Sequence, residues 1–174
     1  MEKIDQLREE YGKFYRELLK QGSLPMRDTD KGFWGTTKID AAYEFFKRIE
    51  LGKFKNFLDL GSGDGCVVLV ASLFTKATGA EYDKELVEKS LEIRQKTGLK
   101  ATFIQGDYMR LNFSDYDFIF INPDTAFHRG LDQKLAKELT GVIYVYGIVH
   151  RPNLLKRGRT FWLEQMPIVE YKKK

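Results

Sequence analysis

Cysteine is almost missing from this chain. Cys66 is the only one, so no disulfide can close within it and a reducing, cytoplasmic setting is expected. Histidine is nearly as scarce, with only His128 and His150 in 174 residues. One thiol and two separated imidazoles make no ligand set at metal spacing, so no bound metal is expected. Also missing is any apolar run long enough for a bilayer-spanning helix. The opening MEKIDQLREEYGKFYREL is charged throughout and lacks the apolar stretch of a secretory leader. No internal repeat or low-complexity tract is present, and no G-K-[ST] signature, which excludes a Walker-type phosphate loop.

What is present suits one packed domain over residues 1–174, with 43% hydrophobic and 14% aromatic residues. The net charge of +4 is unevenly spread. Arg151, Lys156, Arg157, Arg159 and Lys172 to Lys174 gather in the last stretch against two glutamates. Such an end can dock nucleic acid or an acidic protein surface, or simply stay solvated.

Residues 1–20 read as an amphipathic helix through Ile4, Leu7, Tyr11, Phe14 and Leu18. QGSLPMRDTDKGFWG, from Gln21 to Gly35, reads as a loop. Thr37 and Asp40 resemble a capping box for a second helix whose apolar face is Ile39, Ala42, Tyr43, Phe46 and Ile49. From Asn56 the pattern alternates. Strands are expected at 56–60, 77–82, 101–105, 117–121 and 141–149, with helices at 66–74, 84–97 and 131–139. Asp83 and Gly98 are the expected caps of the middle helix. TFWLEQ and PIVEYK form either a hairpin or one strand bent at Pro167. The alternation implies an α/β fold with a mostly parallel sheet and helices on both faces.

The sharpest local feature is Leu58-Asp59-Leu60-Gly61-Ser62-Gly63-Asp64-Gly65. A strand feeding a glycine turn and then a helix lets a ligand approach the backbone closely. The glycines follow G-x-G-x-G, whereas a dinucleotide fingerprint requires G-x-G-x-x-G, which disfavours an NAD-dependent oxidoreductase. Asp59 and Asp64 beside the turn would repel a diphosphate and suit a cationic ligand. Glu81 ends the next strand, twenty residues beyond Gly61, where a carboxylate can accept from both hydroxyls of a ribose. Gln105-Gly106-Asp107-Tyr108 follows the third strand, and there Asp107 can accept from an adenine amine. Tyr116-Asp117-Phe118-Ile119-Phe120-Ile121-Asn122-Pro123-Asp124 ends the fourth at the mouth of the crevice where open α/β sheets bind ligands.

In this order and spacing the four segments closely resemble the class I S-adenosylmethionine-dependent methyltransferases, over roughly residues 54–150. LDLGSGDG stands as the first motif, GAEYD as the acidic strand end, QGDY as the adenine-proximal turn and FIFINPD as the fourth motif. The resemblance implies a Rossmann-like methyltransferase core over 53–174, preceded by N-terminal helices and a lid-like loop over 1–52. It also implies S-adenosylmethionine as cofactor, held by Asp59, Gly61, Ser62, Gly63, Glu81, Tyr82, Asp107, Tyr108 and Asn122. Gly32-Phe33-Trp34-Gly35-Thr36-Thr37 loosely resembles the aromatic-to-Thr entry segment of small archaeal-type protein lysine methyltransferases. That likeness adds Thr36 and Thr37 to the expected cofactor contacts, while Trp34 is expected to pack the first helix onto the domain.

The fourth motif departs from the Asn/Asp-Pro-Pro-aromatic pattern of many nitrogen methyltransferases, because Asp124 and Thr125 follow Pro123. Asn122 and Asp124 are the expected catalytic residues, orienting a nucleophile, most simply a nitrogen. A protein side chain, an RNA or a small molecule all suit as acceptor, and a non-catalytic cofactor-binding module is the alternative. Cys66, Tyr144 and Tyr146 are expected to be packing residues.

Overall fold

The computed structural model describes residues 1–174. Helix α1 (Lys3–Lys20) buries Ile4, Leu7 and Tyr11. A short antiparallel hairpin follows, β1 (Met26–Thr29) and β2 (Gly32–Gly35), and then α2 (Ile39–Arg48). The core alternates β3 (Asn56–Leu60), α3 (Cys66–Ala71), β4 (Lys76–Glu81), α4 (Lys84–Thr97), β5 (Ala101–Gln105), β6 (Phe118–Ile121), α5 (Leu131–Glu138) and β7 (Val142–Tyr146). A second hairpin, β8 (Lys156–Leu163) and β9 (Met166–Lys172), closes the chain.

Seven strands form one sheet in the order β5-β4-β3-β6-β7-β9-β8. The first five are parallel, and β9 runs antiparallel to both β7 and β8. Helical crossovers enforce the parallel part, because a parallel neighbour cannot be reached by a tight turn. The winding direction reverses between β3 and β6, and the crevice over the strand ends there is where such sheets hold ligands.

Period-two alternation divides the core between the two faces of the sheet. Phe57, Phe118, Phe120, Tyr144 and Ile168 join one buried cluster with residues of α1, α2, α3 and α4. Leu58, Leu60, Ile119, Ile121, Ile143, Val145 and Val169 join the other with Leu131 and Leu135 of α5. The first face is aromatic: the rings of Phe118 and Tyr144 stack at 4.9 Å, and Phe57 stacks on Phe118 at 5.4 Å.

Gly79 sets how closely α3 lies on this face. A Cβ there would stand 2.6 Å from Ser62 Oγ and 2.8 Å from Val68 Cγ2. Gly79→Ala is therefore expected to cost about 1–2 kcal/mol by overpacking. Urea denaturation should show a lower midpoint at unchanged slope, and an unchanged midpoint would mean that α3 shifts freely.

The structure corrects several expectations. Residues 26–35 are a hairpin with Met26 opposite Gly35 and Thr29 opposite Gly32, where a loop is expected. Its strands are short and mostly unburied, with only Trp34 facing inward, so no hydrophobic alternation marks them. The Thr37–Asp40 capping box does not form. The helix begins after Lys38 without a side-chain cap, and the Asp40 carboxylate accepts from Arg8 at 2.8 and 2.6 Å. Strand β7 stops at Tyr146 because Gly147 turns out of the sheet at φ +86°. The last segment is the hairpin of the two alternatives, turning at Glu164 with φ +55°. Asp83 and Gly98 do cap α4: Asp83 accepts the Leu86 N–H at 3.1 Å, and Gly98 is left-handed. No helix is long and apolar enough to cross a membrane.

Candidate functional site

A cleft of about 1010 Å³ opens over the carboxyl ends of β3, β4 and β6, roofed by the β1–β2 hairpin. Every residue expected at the site lines it: Thr36 and Thr37; Asp59, Gly61, Ser62 and Gly63; Glu81 and Tyr82; Asp107 and Tyr108; Asn122 and Asp124. The topology brings them together from five separate strand or helix ends. It also adds residues that composition does not flag, namely Trp34, Tyr146, Arg110 and Arg129.

The glycine turn forms the floor. Gly61, Gly63 and Gly65 all have positive φ, at +76°, +55° and +77°. A side chain at Gly61 would meet nothing within 4 Å, so that position is open towards the cleft. Gly63 is closed by the roof instead, since a Cβ there would lie 2.7 Å from Trp34 Cδ1. Glu81 locks the turn, accepting the Gly63 N–H at 2.8 Å through one oxygen and the Asp83 N–H at 2.8 Å through the other. Each oxygen keeps a second lone pair for a further donor.

Two buried carboxylates stand at the turn. Asp59 lies under it, and burial, reinforced by the nearby charges of Glu81 and Asp64, raises its proton affinity well above the usual carboxylate range. Asp64 is also buried, and burial pushes its pKa up to about 6. Hydrogen bonds from Tyr15 Oη at 2.7 Å and the Cys66 N–H at 3.1 Å oppose that shift. The Trp34 indole N–H also lies near enough to favour the Asp64 anion, yet makes no hydrogen bond of its own. Helix α1 is thus fastened to the turn, because Tyr11 Oη also donates to the Asp64 carbonyl at 2.8 Å. Burial and the Asp64 charge raise the pKa of both tyrosines, which stay protonated donors.

Two buried polar atoms of the turn and the roof lack partners, and one of them, Ser62 Oγ, is packed towards Gly79. Trp34 Nε1 and Ser62 Oγ are buried, their residues 5% and 7% exposed, with no hydrogen bond. Buried donors of this kind are rare in folded chains and mark places where a ligand or water completes the pairing.

The hairpin roof is held by three contacts. Arg27 grips Asp83 with two bonds of 3.0 Å, next to the α4 N-terminus. Trp34 stacks on Phe14 of α1 at 6.1 Å. Asp124 Oδ2 accepts the Phe33 N–H at 2.6 Å, joining the loop after β6 to the roof. Trp34 packs the first helix as expected, and Phe33 beside it is 54% exposed. Cys66 is core, with its thiol donating to the Thr37 carbonyl at 3.5 Å. Tyr144 is buried, but Tyr146 faces the cleft as well as the sheet. His128 sits in the loop after β6, its Nδ1 3.0 Å from Thr125 Oγ1, and His150 lies outside the cleft lining.

Arg27 is partly exposed, so its ion pair adds little to global stability. Arg27→Ala is expected to change unfolding free energy by less than about 1 kcal/mol while amides 26–35 exchange about tenfold faster. Hydrogen exchange read by mass spectrometry checks this, and unchanged protection would assign the roof's stability to Trp34 and Asp124 alone.

Comparison with known proteins agrees with this geometry. The sequence profile of the methyltransferase domain family matches residues 57–147, more than half of the chain. EEF1A lysine methyltransferase 2 of Mus musculus is 25% identical over 116 residues, covering 59% of this chain. The chain spans about half of that protein, with 48% of its length covered. Among solved structures, an RNA methyltransferase from Salinibacter ruber in complex with S-adenosyl-L-homocysteine superposes with a TM-score of 0.62 at 22% identity, over 79% of this chain and 92% of that one. The magnesium protoporphyrin IX methyltransferase of Synechocystis, solved with bound SAM, gives 0.62 at 13% identity over 78% of each chain. At these identities the superpositions establish the fold, a Rossmann-like methyltransferase sheet.

Proposed function

The chain belongs to the methyltransferase domain family, and from that membership we propose that it transfers a methyl group from S-adenosylmethionine to a nitrogen on a protein side chain. The observation that carries the cofactor half is the floor of the cleft. The carboxylates of Asp64 and Glu81 flank a turn whose backbone is open at Gly61, with buried Asp59 beneath it. These residues fit a cationic nucleoside and would oppose a pyrophosphate. The mouse lysine methyltransferase supports the acceptor half.

S-adenosylmethionine, when bound, supplies an electrophilic methyl group on a sulfonium centre. The protein's share is alignment and proton handling. Glu81 would take the ribose hydroxyls on the lone pairs it does not spend on Gly63 and Asp83. Asp107 keeps one oxygen on the Met109 N–H at 2.9 Å and offers the other to the adenine amine. Thr36, Thr37, Tyr82 and Tyr108 wall the cleft. A side-chain amine arrives as a cation near neutral pH and gives one proton to solvent at the open mouth of the cleft, which frees the lone pair that attacks. Asn122 and Asp124 are exposed at the mouth and accept its N–H groups. Asp124 does so with the oxygen not used by Phe33, so acceptor binding and roof position share one side chain.

Calorimetric titration with S-adenosylmethionine, S-adenosylhomocysteine and NAD tests the first half. Binding of both adenosyl ligands and not NAD is expected, and folded protein that binds neither would end the reading. Transfer of labelled methyl to lysine-containing peptides tests the second half.

A further inference from the structure

The segment Gly147–Leu154 leaves β7 at the mouth of the cleft and crosses to α5. Both of its ends are fixed. The Gly147 N–H donates to the Pro167 carbonyl at 2.7 Å. Buried Asp132 in the first turn of α5 accepts the N–H groups of Asn153 at 2.8 Å and Leu154 at 3.2 Å. Pro152 and Leu155 are buried beside these bonds. Between the anchors the chain turns aliphatic side chains outward: Ile148 is 60% exposed, Val149 82% and Leu154 42%. A loop pinned at both ends has not escaped from the core. Its outward aliphatics form a surface, and such patches mark contact sites.

Arginines flank it. Arg151 is exposed within the segment. Arg129 precedes Gly130, where an added Cβ would stand 4.0 Å from the Cε of Met109, the neighbour of Arg110. Arg110 and Arg129 both line the cleft. No carboxylate lies within salt-bridge distance of these three, whereas Lys134 pairs with Glu138 and both Arg159 and Lys172 with Glu170; Lys156 and Arg157 are likewise without a carboxylate and extend the basic character of this end of the chain. Arg129 also holds a left-handed backbone at φ +54°, at the turn into α5.

We propose that Gly147–Leu154, with Arg110 and Arg129, is the docking surface for the acceptor protein, and that this protein presents acidic side chains beside the amine it offers. The proposal rests on the reading of the acceptor as a protein. An exposed aliphatic patch marks a contact site, and arginine is enriched in protein–protein contacts. A single-stranded nucleic acid would call for a row of stacking aromatics along a continuous basic groove, whereas this segment offers one ring, the His150 imidazole, beside outward aliphatics. Unpaired arginines steer and orient an acidic partner while the floor of the cleft repels it, which keeps the acidic residues at the rim and the amine inside.

The test uses the full chain, labelled S-adenosylmethionine and three synthetic peptides with one central lysine, flanked by Glu/Asp, Ser/Gly or Lys/Arg. The acidic peptide is expected to take label about tenfold faster than the basic one at low salt, with the gap narrowing as salt rises. Arg151→Glu should abolish or reverse the order, and Val149→Asp should slow transfer to all peptides. Both variants should bind S-adenosylmethionine as wild type does. Equal labelling of the three peptides, or an order unmoved by Arg151→Glu, overturns the docking surface and leaves the protein-acceptor reading standing. Cofactor binding with no peptide labelled overturns both. Label transferred to polyuridylate, or peptide labelling suppressed by it, overturns the protein partner in favour of RNA.

Discussion

Glu81→Ala is expected to weaken S-adenosylmethionine binding by about 2–4 kcal/mol, roughly 30- to 900-fold in Kd. Two losses add. The first is the acceptor for the ligand's hydroxyls, a charge-assisted bond of about 1.5–3 kcal/mol. The second is the turn itself, because the same carboxylate holds the N–H groups of Gly63 and Asp83, each at 2.8 Å. Without it the Gly63 amide loses its partner, and the turn no longer arrives in one conformation. Glu81→Gln separates the two. Its amide oxygen can still accept one of the N–H bonds, so the variant should keep more of the turn than Ala does while losing the charge. The measurement is calorimetric titration on protein whose folding is confirmed by circular dichroism. Affinity within about twofold of wild type for Glu81→Ala would take Glu81 out of the ligand site altogether.

That Glu81 and the glycines could be singled out before any coordinates reflects how local they are. Glu81 ends a strand, and Gly61, Gly63 and Gly65 make the turn after the preceding one, so parallel pairing of β3 with β4 is enough to bring them together. The strands between Asn56 and Tyr146 were legible for a related reason. Alternating burial on a sheet covered on both faces leaves short apolar runs bounded by Gly, Asp and Asn. A lid-like segment was legible ahead of the core, but its hairpin form and its anchors were not. Phe33 meets Asp124 across 91 residues and Arg27 meets Asp83 across 56, and neither pair leaves a trace in periodicity. Met26–Gly35 carries Gly, Asp and Thr, residues that equally suit a loop, and only Trp34 is buried to mark one side of the hairpin. Tyr15 was hidden differently. It belongs to an amphipathic helix in which most aromatics serve packing, and its hydrogen bond to Asp64 exists only once α1 lies against the glycine turn.

Asp64 carries the other large expected effect, and it links stability to ligand binding. Its pKa in the folded chain stands near 6, against about 3.9 when unfolded. The folded state therefore binds the proton more tightly. Stability contributed by this group is greatest below about pH 4 and is lost as pH rises through about 6, a fall of about 3 kcal/mol by linkage. Asp64→Asn removes that fall. Its side-chain oxygen can still accept the Cys66 N–H, and its amide can donate to the Tyr15 oxygen, so most of the local pairing survives. The variant should also relieve Asp59, whose proton affinity is raised in part by the Asp64 charge. Urea denaturation at pH 8 should find Asp64→Asn more stable than wild type by about 1–3 kcal/mol, with the difference vanishing near pH 4. Ligand binding should move the other way. A cationic ligand favours the Asp64 anion, so wild-type affinity for S-adenosylmethionine should rise between about pH 5 and 7 with release of protons. In Asp64→Asn that rise should shrink, with affinity at pH 7.5 lower by about fivefold. Equal stability of the two proteins at pH 8 would mean that the charge of Asp64 is already solvated or paired in the folded chain. A gain in stability with no loss of affinity would mean that the cost of burying this carboxylate is not recovered by the ligand.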